Sequence, residues 1–245
     1  MRNRLLAASF CVAGFACGPA MAGTVSVLDE YGNAIGPLTS LYTGQGYTVN
    51  ALTDSFTASS ISGSNLVILT LFNSLSGSQL TALDNYVDAG GRLLMNSDGQ
   101  GFENFQNSMN AVLTSLGSSI VNVDGAYDAN WHTTTNIVAD PFTAGVSSIY
   151  YAYTSALTGG TALVYGVSGQ DFISYQPIGS GYVFAIADSN TAGGGLSNAG
   201  NQQLYLNFIN ASASTVPEPG SLVMLGMGLL GLGIVRRRSF SSHAR

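Results

Sequence analysis

The sequence predicts an α/β domain on a mostly parallel sheet with flanking helices, a strand-rich C-terminal half and a separate C-terminal transmembrane helix. Three observations predict it. The apolar runs Asn65–Thr70 and Arg92–Ser97 suit strands covered on both faces. Amphipathic segments lie between and after them, as crossover helices do in parallel sheets. From Ser119 onward, short apolar clusters recur at close intervals without helical spacing.

Each element follows in order. Thr24–Leu28 reads as the first strand and Gly36–Gly46 as a short helical or irregular crossover. Tyr47–Leu52 alternates apolar and polar residues, as a half-buried strand does. Between the two apolar runs, Ser76–Ala89 carries the clearest helix signature. Ser76 is placed to cap it, Leu80, Leu83 and Val87 share a face, and Gly90-Gly91 ends it. Phe102, Phe105, Met109, Val112, Leu113 and Leu116 repeat at helical spacing up to Gly117, and such aromatics belong to a core. Ser119–Val123, Ser148–Tyr153, Thr161–Tyr165, Asp171–Gln176 and Tyr182–Ala187 read as strands. Pro177–Gly181 supplies a hairpin turn. Gln202–Asn210 is a last helix, with Leu204, Phe208 and Ile209 inward.

The two ends have a different character. Arg2 and Arg4, the apolar stretch Leu5–Gly18 and the small residues Ala20 and Ala22 form a signal peptide over residues 1–22, cleaved before Gly23. The domain then spans 23–210, a linker 211–220, an apolar segment 221–235 and a basic tail 236–245. Ser221–Val235 is uncharged and would extend ~22 Å as a helix, against ~30 Å of hydrocarbon. That length suits a thin membrane, or a segment held briefly and then processed. Arg236, Arg237 and Arg238 place the tail on the cytoplasmic side.

Val216-Pro217-Glu218-Pro219, the short apolar segment and Arg236-Arg237-Arg238 together resemble the PEP-CTERM sorting signal of Gram-negative bacteria. The resemblance implies an export translocon and an exosortase as processing partners, with an inner-membrane intermediate on the way. It further implies a destination at the cell surface or in the extracellular matrix, and extracellular polysaccharide as an associate.

Charge and cysteine content narrow the function. Both cysteines, Cys11 and Cys17, lie in the signal peptide, so residues 23–215 hold no disulfide, thiol nucleophile or cysteine-ligated metal. The chain has no lysine, and Arg92 is the only cation in that stretch. Against twelve acids this gives a net charge of −11. Such a surface repels nucleic acid and anionic lipid.

Asn65–Thr70, Tyr86-Val87-Asp88-Ala89-Gly90-Gly91 and Arg92–Asn96 resemble the central unit of class I glutamine amidotransferase-like domains. Asp140-Pro141-Phe142-Thr143-Ala144-Gly145-Val146 is similar to a segment of noncatalytic and trehalose-utilisation-like relatives. Gly179-Ser180-Gly181-Tyr182-Val183 with Asp188 is similar to their late Gly-x-Gly-x-Val strand. The resemblance implies a flavodoxin-like sheet. It also implies a nucleophile turn after the central strand, where this chain reads Met95-Asn96-Ser97-Asp98-Gly99. The missing thiol excludes the family's cysteine mechanism, and its His-x-Glu pair has no counterpart.

No catalytic set is therefore expected. The residues nearest to one are Ser97, as a nucleophile, and His132, the sole histidine of residues 23–215, as its base. No metal is expected either; calcium is the ion the acidity suits. Its nearest candidates are Asp98, Asp124 and Asp128, the last two in a loop-like Asp124–Asn130 stretch with oxygen ligands at positions one, five and seven. Asp98, Glu103 and Asp188 are a second acidic grouping, above the strand ends. Trp131, Tyr127, Tyr150, Tyr151 and Tyr153 are candidates for stacking on sugar rings. The predicted function is a non-enzymatic, exported surface or matrix protein. The alternatives are an extracellular hydrolase using Ser97, or a carbohydrate- or calcium-binding adhesion module.

Overall fold

The computed structural model describes residues 23–211. The signal peptide, the sorting motif, the apolar segment 221–235 and the basic tail lie outside the described residues. Among the described residues, no helix is long and apolar enough to cross a membrane.

Within the described residues, nine strands form two sheets. β1 (Thr24–Asp29), β2 (Thr48–Ala51), β3 (Ser64–Thr70), β4 (Arg92–Asn96) and β9 (Gly181–Ile186) run parallel in the order β2-β1-β3-β4-β9. This is the doubly wound order 2-1-3-4-5 once β9 is counted as the fifth parallel strand. β8 (Asp171–Ile178) and β7 (Thr161–Tyr165) extend the sheet antiparallel beyond β9. The strand-rich C-terminal half thus divides: β7, β8 and β9 join the main sheet, while β5 (Val121–Thr134) and β6 (Ile149–Thr158) pair only with each other.

Five helices accompany the sheets: α1 (Ile35–Gly44), the single-turn α2 (Ala58–Ile61), α3 (Gly77–Asp88), α4 (Glu103–Ser115) and α5 (Ala199–Asn210). β3 is apolar from Leu66 to Leu69, where both faces are covered; these four residues are all fully buried. α3 starts with a reciprocal capping box. The Ser76 amide donates to Gln79 Oε1 (2.9 Å) and the Gln79 amide to Ser76 Oγ (3.4 Å). Leu83 and Val87 turn into the core, and Gly90, at φ +104°, ends the helix.

The Gly179-Ser180-Gly181 segment has a steric reason. Gly179 makes the β8–β9 turn at φ +55°, and a Cβ on it would fall 2.3 Å from Asp88 Oδ1. A Cβ on Gly181 would fall 2.1 Å from the Gly91 carbonyl oxygen. Two tight approaches between the β8–β9 turn and the end of α3 therefore need glycine.

One expectation is corrected. Asp124–Asn130 is not a loop of convergent oxygen ligands but the middle of a fourteen-residue strand. β5 carries fourteen residues opposite ten of β6, the excess lying in two irregularities, between Val123 and Tyr127 and between Tyr127 and Trp131. Asp128 sits in the second with φ +50°, and Tyr153 on the opposing strand has φ +59°. Bulges of this kind break the alternation by which a strand is recognised. Gly125, Ala126 and Ala129 remove the remaining propensity signal.

Candidate functional site

The strand ends of a doubly wound sheet are where ligands bind, so the site is built from the residues that follow β4 and β9. Ser97 comes directly after β4, but its amide still donates to the Ile186 carbonyl at 2.8 Å, continuing the ladder to β9. The residue lies in the sheet rather than on a sharp turn. Its φ is not in the left-handed region, which among non-glycine described residues holds only Asp128 and Tyr153. Its side chain is fully buried, and the hydroxyl has no hydrogen-bond partner.

Two amides beyond Ser97, those of Gly99 and Gln100, are occupied. Gly99 donates to Asp98 Oδ1 (2.9 Å) and Gln100 to the Gly125 carbonyl (2.8 Å). The Asp98 carbonyl accepts from Ser155 Oγ at 3.0 Å and Gln106 Nε2 at 3.1 Å. β6 therefore lies across the turn, so closely that a Cβ on Gly99 would fall 2.6 Å from the Tyr153 carbonyl oxygen.

Asp188 closes the compartment from the β9 side. Its Oδ2 accepts the Ala152 amide of β6 (2.9 Å) and its Oδ1 the Asn190 amide (2.8 Å). The Ser155 amide donates to the Ala187 carbonyl at 3.2 Å, and Asn190 Nδ2 donates back to the Ala152 carbonyl at 3.1 Å. Burial, and then the nearby Asp98 charge, push the Asp188 carboxyl up to about 8. Burial also raises Asp98, to about 6, against the lowering effect of hydrogen bonds from Ser189 and Gly99. Behind this pair lies a second polar layer. Asn96 Oδ1 accepts from the Tyr205 hydroxyl (3.3 Å), which also meets Thr191 Oγ1 (3.0 Å).

The other strand ends hold carboxylates of the chain itself. Asp29, at the end of β1, accepts the amides of Gly32 (3.0 Å), Ala34 (2.7 Å) and Ile35 (2.9 Å) at the entry to α1. An amide cluster of this type is where an anionic ligand would bind. Glu30 Oε2 takes the amides of Phe72 and Asn73 in the loop after β3.

Of the acidic residues read from the sequence, Asp98 and Asp188 come together. Glu103 does not join them; it accepts the Gly101 amide at the exposed start of α4. Asp124 is exposed on β5, whereas Asp128 accepts from the Tyr151 hydroxyl (2.6 Å), Gln170 Nε2 (2.8 Å) and Ser168 Oγ (2.5 Å). Asp98, Asp124 and Asp128 thus do not converge. Among the described residues, no group of three or more acidic, histidine or cysteine side chains is placed to hold a metal ion. His132 lies on β5 opposite Tyr151, its ring 6.1 Å from that tyrosine, and Ser97 receives no hydrogen bond from it. Trp131 stacks on Tyr150, with ring centroids 4.7 Å apart and planes 10° apart.

Sequence reading missed the contribution of Ser189, whose hydroxyl donates to Asp98 Oδ2 at 2.7 Å. The signal for it was local: Asp188-Ser189-Asn190 is an Asx-turn pattern, and Asp188 does cap the single-turn helix Ser189–Thr191.

The PEP-CTERM protein-sorting motif matches residues 215–238. No curated protein matches the chain by sequence. Among solved structures, the N-terminal domain of mmIFT52 has a TM-score of 0.63 at 12% identity, over 77% of this chain and 98% of that one. The cytoplasmic protein STM3548 from Salmonella typhimurium has a TM-score of 0.57 at 12% identity, over 78% and 99%. A GMP synthase-like protein from Thermoplasma acidophilum has a TM-score of 0.50 at 13% identity, over 78% and 93%. These likenesses show a shared fold, in keeping with the amidotransferase-like resemblance of the central domain. The motif marks the chain as an exosortase-processed protein, exported and sorted to the surface of a Gram-negative cell.

Proposed function

We propose that the chain is a non-enzymatic component of the cell surface or extracellular matrix that associates with exopolysaccharide. One observation carries the reading: the position where this fold would carry its nucleophile is inside the sheet and beneath β6. Ser97 is wholly buried, its hydroxyl has no partner to take its proton, and the Gly99 and Gln100 amides beyond it are already bonded. Acyl transfer at that position needs a base in contact with the hydroxyl and free donors for the oxyanion. The carboxylates of Asp29 and Glu30 filling the neighbouring strand ends support the same reading.

The experiment pairs localisation with turnover. Full-length protein exported by its own host is expected to co-sediment with that host's exopolysaccharide, with or without a chelator. It is expected to hydrolyse neither ester nor glycan substrates, and Ser97→Ala and His132→Ala are expected to match it. Turnover that disappears in Ser97→Ala would establish a hydrolase instead. Co-sedimentation abolished by chelator would assign the association to calcium.

A further inference from the structure

We propose that the outward face of the β5–β6 hairpin, centred on Trp131 stacked against Tyr150, is a binding platform for an uncharged sugar polymer. This rests on the surface-matrix reading above and adds the residues and the ligand class to it. Trp131 is 45% exposed although one ring face is covered by Tyr150 and the Cζ2–Cη2 edge of the indole lies beside Gly194, so much of the side chain stays open to solvent. A stacked indole–phenol pair reached by solvent gives a flat, rigid surface of negative π potential, to which polarised C–H groups of a pyranose face are attracted.

The patch extends along the strand. Val121, Val123 and Tyr127 are also exposed large side chains on β5. From Val121, opposite Thr158, to Trp131, opposite Ala152, the hairpin advances by ~20 Å. That length suits several consecutive sugar rings rather than a monosaccharide. Asn130 and Thr133, both exposed, flank the indole with neutral hydrogen-bonding groups. The exposed Asp124, Asn130 and Thr133 interrupt the two valines and two rings, so the patch differs from the continuous apolar one that marks a stable protein interface.

Charge selects the class of polymer. Residues 23–211 carry one arginine against twelve acids, and Arg92 is committed to the Phe208 carbonyl at the other end of the sheet. Among the described residues, no arginine or lysine therefore stands near the platform to hold a uronate, sulfate or phosphate, and the domain's field repels one. Placement agrees. The hairpin covers the carboxyl ends of β4 and β9, while Gly23, at the entry to β1, and Ala211, after α5, flank the amino ends. Ala211, the last described residue, and the platform thus lie at opposite ends of the sheet.

Trp131 is the only tryptophan of the chain, so its emission reports on the platform directly. The full-length chain in mild detergent is titrated with dextran and mannan, with alginate as the anionic polymer. Emission is expected to shift to shorter wavelength and saturate with a neutral polymer and to stay unchanged with alginate. In affinity electrophoresis, Trp131→Ala is expected to weaken retention by at least about tenfold, and Trp131→Phe to keep part of it. Undiminished retention in Trp131→Ala overturns the platform. So does co-sedimentation with native exopolysaccharide at unchanged Trp131 emission, which leaves the matrix reading standing. Failure of both the emission shift and co-sedimentation removes both. A concentration-dependent blue shift without polymer assigns the face to a second copy and overturns the sugar proposal.

Discussion

The Ser189 hydroxyl donates to Asp98 Oδ2 over 2.7 Å, tying the residue after Asp188, just beyond β9, to the residue that follows Ser97. Through that bond and the Asp188–Ala152 bond, two buried carboxyls and the covering strand β6 form one unit. Its stability is predicted to depend on pH in an unusual direction. Unfolded aspartates lose their proton near ~3.9, whereas burial holds Asp98 to about 6 and Asp188 to about 8. Asp171, likewise raised by burial to about 6, acts in the same sense. Between these limits the folded state binds more protons than the unfolded one, so stability falls as pH rises. The contribution is complete below about pH 4 and is lost by about pH 8. Thermal unfolding of the full chain from pH 4 to 9 is expected to show Tm declining across this window. Asp188→Asn is expected to flatten the decline above about pH 6. A Tm that rises steadily to pH 8 contradicts the assignment.

Ser97→Ala is expected to leave stability unchanged or to raise it by up to about 1 kcal/mol. A buried hydroxyl without a partner costs desolvation and returns nothing, and alanine removes it with little change of shape. Urea unfolding measures this directly. A loss above ~2 kcal/mol would mean that the hydroxyl has an interaction partner after all.

The mostly parallel sheet was legible because β3 and β4 hold short apolar runs, and the helix between them carries Ser76 and Gly90 as start and stop. The position of Ser97–Asp98 at a strand end followed from the same pattern. Its closure did not follow, because the closing contacts come from Ala152 and Ser155, more than fifty residues further on. β5 was legible only as far as Val123. Beyond that, Gly125, Ala126 and Ala129 carry no strand signal, and two bulges destroy the period of two. Arg92 stood out as the only cation of the domain, but its partner is a carbonyl 116 positions away. No local rule pairs the two.

That partnership gives a further prediction. Arg92 Nη1 donates to the Phe208 carbonyl at 2.9 Å in the last turn of α5, where a cation is favoured by the helix dipole. Its guanidinium also lies 5.8 Å from the centre of the Tyr182 ring and 6.0 Å from that of Phe142. Arg92→Met keeps the aliphatic stem and removes both interactions. It is expected to cost about 1.5–3 kcal/mol in urea unfolding, with hydrogen-exchange protection lost first in the last turn of α5. Arg92→Lys, a point charge without the planar fork, is expected to fall between the two. Equal protection in all three proteins would show that the guanidinium does not hold the helix end.

Asp128 is predicted to be the lock that fixes the hairpin to the main sheet. Alone among the acids of β5 it is engaged by the other sheet. It accepts from Tyr151 on β6, and from Ser168, Gln170 and the Val167 amide (3.2 Å) in the β7–β8 connection. Burial pushes its carboxyl up, but the hydrogen bonds from Gln170, Ser168 and Tyr151 outweigh burial and hold it below the usual range. The stabilisation is therefore present above the unfolded value of ~3.9 and is lost as pH falls through the lower folded value, opposite in sign to Asp188. Asp128→Ala also leaves the Tyr151 hydroxyl and Gln170 short of a partner. It is expected to cost about 1–3 kcal/mol, moderated because the carboxylate is partly solvated. Because Tyr151 and Trp131 flank Asp128 on the hairpin, the same variant should redden Trp131 emission and speed amide exchange in β5 while β3 and β4 stay protected. Uniform loss of protection across both sheets would instead make Asp128 a contributor to global stability and not a local lock.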